Sequence, residues 1–193
     1  MSDEPTYAAF VGPRLLAWGE LGVVLRAAKE QFDRDNGVAL LVFDDRTGRE
    51  RDYDLRGEPD AVVARAMPAL APAGRGRPKL GVVSREVTLL PRHWEWLEEQ
   101  PNGISAALRR LVDEARKREP GATRARVARD AAHAFMTAMA GDRPGFEEAL
   151  RALYAKDRDR FEQKIGRWPG DVRRYASRLA ELWFARAEGE GTR

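Results

Sequence analysis

The 193 residues include no cysteine, which excludes disulfides and thiolate-bound metals. Only two histidines occur, His93 and His133, and they are far apart in sequence. No metal site is expected from them. The longest apolar run, Val38 to Phe43, is far too short to cross a bilayer. The first residues, Met1-Ser2-Asp3-Glu4-Pro5, are acidic and have no apolar core, so no export signal is expected. No nucleophile elbow or dinucleotide loop appears. Gly76 to Gly81 has P-loop glycine spacing, but Val82 and Val83 stand where the chemistry needs Lys and Ser or Thr. These absences predict a cytoplasmic protein with no catalytic site, no cofactor and no membrane partner.

Charge is plentiful and unevenly spread. The chain has 34 basic and 31 acidic residues, a net +3. Residues 1–73 carry 9 basic against 13 acidic, residues 74–118 carry 10 against 6, and residues 119–193 carry 15 against 12. Within the middle stretch, residues 74–92 hold 5 basic groups against 1 acidic. A local basic stripe decides partner choice more than the global sum does. Arginine makes up 29 of the 34 basic residues, so composition alone supplies part of this pattern.

Four segments follow from hydrophobic periodicity and turn residues. Residues 1–67 form an acidic α/β unit: strands at Tyr7–Val11 and Arg14–Trp18 around Gly12-Pro13, then a helix over Leu21–Phe32. A strand over Val38–Phe43 turns at Asp44-Asp45-Arg46-Thr47-Gly48 into a hairpin partner over Arg49–Leu55. A short helix over Glu58–Met67 has Pro59 in its first turn. Residues 68–79, rich in Pro, Ala, Gly and Arg, form a linker ending in a basic arm. Residues 80–118 read as a strand (Leu80–Leu90) followed by helices over Pro91–Gln100 and Ser105–Arg118. Residues 119–193 are helical, with Asp142 and Asp157 as N-caps of two similar segments. The fold class is α+β.

The arm Gly74-Arg75-Gly76-Arg77-Pro78-Lys79 resembles the core of an AT-hook. Glycine permits close approach to the floor of the minor groove, and proline keeps the backbone extended. Arginines suit the negative potential of a narrow A·T groove. The bland alternative is a solvated basic linker. Arg75, Arg77 and Lys79 are therefore candidate DNA contacts.

The order strand, Pro91, helix, Gly103, Ser105, helix is similar to the ribbon-helix-helix repressors. That resemblance implies a homodimer whose paired strands enter the major groove. It also implies that backbone N–H groups of Ser105 and Ala106 hold a DNA phosphate. Two strand registers stay open. Counting back from Pro91 turns Arg85, Val87 and Leu89 outward, whereas apolar patterning turns Ser84, Glu86 and Thr88 outward. Arg85 and Thr88 are the strand candidates. At the scale of the whole chain, residues 76–94 resemble the signature of an uncharacterised bacterial family, domain of unknown function twenty-two thirty-nine. Phe43-Asp44-Asp45, Asp54-Leu55-Arg56-Gly57 and Met139-Ala140-Gly141-Asp142 resemble its other blocks. The likeness brings no established activity and lends no site residues.

The expected function is double-stranded DNA binding as a homodimer, for transcriptional or nucleoid regulation. The alternative is a protein-interaction adaptor that uses the middle strand and helices without DNA. The Asp44/Asp45 hairpin is a weaker third candidate, as a cation or hydrolytic site, because paired acids at a turn usually serve the turn itself.

Overall fold

The structure is a computed structural model, and it describes residues 5–35, 37–67, 85–118 and 121–190. Two compact units emerge: residues 1–69 with 121–193, and residues 70–120. The acidic N-terminal segment and the C-terminal helices, separate in the sequence reading, thus belong to one body.

The reason lies in a sheet buried on both faces. Strands β1 (Thr6–Val11), β2 (Arg14–Glu20), β3 (Leu40–Asp44) and β4 (Arg49–Glu50) form an antiparallel sheet in the order β2-β1-β3-β4. Successive side chains of a strand point to opposite faces. On one face Ala9 and Val42 join Leu21, Val24, Leu25 and Ala28 of helix α1 (Leu21–Arg34) and Val62 of helix α2 (Pro59–Ala66). On the other, Ala8, Phe10 and Phe43 enter a larger core built with the C-terminal helices. A central strand with two buried faces needs apolar residues at every position, which accounts for the apolar run Leu40–Phe43 of β3.

The C-terminal helices fill that second face. Helix α5 (Ala122–Ala140) packs along the C-terminal helix α8 (Gly170–Glu190), with α6 (Phe146–Tyr154) and α7 (Arg158–Ile165) between them in sequence. Ala125, Ala132 and Ala140 let α5 approach closely, and Phe135 stacks against Phe10, Phe43 and Tyr175 with ring centroids 5.4, 5.0 and 4.6 Å away. Such aromatic pairs contribute about 0.5–1.5 kcal/mol beyond area burial. Trp168 and Trp183 are buried anchors whose indole N–H groups donate to the carbonyls of Pro144 (3.1 Å) and Leu153 (2.6 Å).

Several expected boundaries move. The hairpin partner of β3 shrinks to two residues; after Arg51 donates to the Val42 carbonyl the chain leaves the ladder. A turn held by Asp54 then delivers Leu55 into the core against α1. Asp157 caps α7 through the Arg160 N–H at 3.0 Å, as expected, but Asp142 does not cap α6. That role falls to Gly145, whose φ of 85° suits a residue without Cβ.

In the smaller unit, helix α3 (Pro91–Glu98) and helix α4 (Ile104–Arg118) meet through buried Leu97 and Ala107. Residues 85–90 carry no strand ladder, whereas the sequence reading extended a strand to Leu90. Alternation and β-branching favour extended backbone, but a strand needs a hydrogen-bonding partner. The other half of that expected strand, residues 80–84, lies outside the described residues.

Candidate functional site

The smaller unit holds every residue expected to touch DNA. Arg75, Arg77 and Lys79 lie outside the described residues. Arg85 and Thr88 are exposed on the extended segment before α3. Ser105 lies in the first turn of α4 rather than at its cap, because Ile104 already opens the helix. Gly103 supplies the cap: its carbonyl accepts the N–H groups of Ala106 and Ala107, both at 3.1 Å. The Ala106 N–H is thereby engaged inside the helix. The Ser105 carbonyl accepts from Arg109 Nε at 3.1 Å.

Two physical features distinguish this unit. The first is charge. Residues 70–120 contain 10 basic and 7 acidic side chains, whereas the larger unit contains 24 of each. The chain's whole net charge therefore sits in the smaller unit. The second is apolar exposure along α4. Ala107 is buried, but Leu111 is 38% and Val112 56% exposed on the same amphipathic stripe. Val87 and Leu90, just before α3, are about half exposed as well.

The turn acids of the larger unit prove more structured than a turn requires. Asp45 Oδ2 accepts hydrogen bonds from Thr6 Oγ1 (2.6 Å), Trp18 Nε1 (2.9 Å) and Arg178 (2.7 Å), while Oδ1 accepts from the Tyr175 hydroxyl. The Arg178 guanidinium lies over the Trp18 and Tyr175 rings at 4.3 and 4.6 Å. Burial alone would raise the Asp45 pKa, but the donors from Thr6, Tyr175, Trp18 and Arg178 together bring it below the ordinary carboxylate value. Burial, and then the adjacent carboxylate, push the Tyr175 phenol far up. This cluster ties β1, β2 and the β3–β4 turn to α8. No local sequence signal marks it, since its members stand at positions 6, 18, 45, 175 and 178.

The other acids serve the backbone. Asp44 Oδ1 accepts the Arg46 N–H at 2.9 Å within its own turn. Asp54 binds the Arg56 side chain and backbone, and these hydrogen bonds lower its pKa to about 2. Among the described residues, no group of three or more His, Asp or Glu is placed to hold a metal ion. His133 Nδ1 shares a 2.8 Å hydrogen bond with the Tyr154 hydroxyl, and His93 is exposed at the start of α3. No helix among the described residues is long and apolar enough to cross a membrane.

An α+β protein with a doubly covered antiparallel sheet, and a second unit that carries a helical pair and the net positive charge, is what fold and site define. The chain belongs to the family described as "Uncharacterized protein conserved in bacteria (DUF2239)", whose profile matches residues 6–180 and so takes in both units. No match was found among curated proteins or among solved structures.

Proposed function

We propose that the protein binds double-stranded DNA through residues 70–120, acting as a homodimer in a regulatory rather than a catalytic role. The observation that carries this reading is the partition of charge: the larger unit is neutral and the smaller one holds the entire excess. Phosphate attraction supplies most non-specific DNA affinity. Arg75, Arg77, Lys79 and Arg85 concentrate that attraction at the start of the unit. The exposed α4 stripe around Leu111 and Val112 offers a second copy an apolar surface to cover.

The same stripe favours a second reading, an adaptor that docks another protein on α4 and uses no DNA. The acidic residues in and just after α3, Glu95, Glu98 and Glu99, fit that reading better. Gel retardation of mixed-sequence duplex by the full chain at two salt concentrations separates the two. With about five phosphate contacts, raising salt fourfold weakens DNA binding by hundreds-fold. No retardation at low salt leaves the adaptor in its place.

A further inference from the structure

Beside the Asp45 cluster the larger unit opens a groove of about 580 Å³, walled by the start of β1, the β3–β4 turn and helices α5 and α8. Its charge is lopsided. Three arginines, Arg46, Arg124 and Arg178, line it against a single carboxylate, Asp45. Arg178 is committed, because it pairs with Asp45 and is stacked between two aromatic rings. Asp45 is equally committed, with donors on both of its oxygens. Arg46 and Arg124 are left: both are exposed, and neither side chain forms an ion pair with a described residue. Among the described residues, two cations thus face one concavity whose single carboxylate is already engaged.

The remaining wall is apolar. Val127 is 45% and Leu182 57% exposed at the groove, beside Ala128 and Leu179. Large aliphatic side chains half exposed in a concave surface, next to guanidinium groups that pair with no described carboxylate, complement a ligand with both properties. Guanidinium forks fit phosphoryl and carboxylate oxygens equally. The Thr123 hydroxyl adds a donor on the same rim.

We infer that this groove binds a small ligand joining an anionic group, phosphoryl or carboxylate, to an apolar body, the anion held by Arg46 and Arg124 and the body by Val127 and Leu182. The Asp45–Arg178 pair forms a rigid floor and takes no part in charge recognition. This site belongs to the neutral unit and stands independently of DNA binding by the smaller one.

Titration of the full chain at constant ionic strength tests it, with phenyl phosphate, benzoate, inorganic phosphate and benzyl alcohol as probes. Phenyl phosphate and benzoate saturate one site per chain, with shifts of the Arg46 and Arg124 Nε–H resonances. Inorganic phosphate, which has no apolar body, and benzyl alcohol, which has no charge, bind at least about tenfold more weakly. In the Arg46→Ala/Arg124→Ala double variant phenyl phosphate also weakens at least about tenfold, while the melting temperature stays that of the parent because no ion pair is lost. Binding unchanged in that variant, inorganic phosphate as tight as phenyl phosphate, or no saturation overturns the proposal. Displacement of phenyl phosphate by duplex DNA also overturns it, since the arginines would then belong to the DNA interface.

Discussion

At the residue scale, Asp45 and Gly48 bear the most consequence within one turn. Replacing Asp45 by Ala strands four donors and should cost about 2–4 kcal/mol, as the loss of a largely buried charge-assisted network does. Tyr175→Phe removes one of those donors and should cost about 1.5–3 kcal/mol. Urea melts check both, and losses below about 0.5 kcal/mol, the range of neutral surface changes, would show the cluster to be incidental. The pH dependence has a definite sign. The Asp45 carboxyl is held below its ordinary value, so its contribution is complete above about pH 4 and disappears as pH falls through the lowered folded-state value. Asp45→Asn should therefore lower stability near neutrality and flatten the acid limb, the gap to the parent closing as pH falls through the lowered value. Gly48, with φ 63°, faces the backbone of α5 so closely that an added Cβ would land on the Ala131 carbonyl oxygen. Gly48→Ala should cost about 2–5 kcal/mol, strain and overpacking together.

At the scale of elements, the sequence located most helices because their apolar spacing is set by one covered face, as in α1 with Leu21, Val24, Leu25 and Ala28. The start of α4 was legible to within one residue, since the helix expected from Ser105 opens at Ile104 with Gly103 as its cap. The segment before α3 depends on more than its own sequence. Alternating Val, Thr and Leu residues encode an extended conformation, while the expected pairing is with a second copy, and within one chain residues 85–90 carry no ladder. The Asp45 cluster was invisible as a unit, because its hydrogen bonds join residues up to 133 positions apart. Only the paired acids of the turn drew notice. The α4 stripe yields a prediction of its own. Val112→Glu should leave the helix content intact and drive the chain toward monomer in sedimentation at micromolar concentration, if a second copy covers Leu111 and Val112. A parent protein that is already monomeric there would contradict homodimerisation.

At the scale of the molecule, the shared core changes what truncation can achieve. The acidic balance of residues 1–73 suggests a removable segment, but Phe10 and Phe43 pack against Phe135 and Tyr175. Deleting residues 1–69 should abolish the cooperative thermal transition of α5–α8 rather than free a DNA-binding fragment, and calorimetry of residues 70–193 checks this. DNA binding must accordingly be tested with point variants of the full chain. The most direct measurement titrates the parent and the Arg75→Ala/Arg77→Ala variant against A·T-rich and G·C-rich duplexes of equal length. Insertion of the arm in the minor groove predicts a loss confined to the A·T-rich duplex. Phosphate contacts alone predict an equal loss on both, with the salt slope flattened by about one unit per contact. Affinity for neither duplex in the parent, or affinity unmoved in the variant, would contradict DNA binding through this arm.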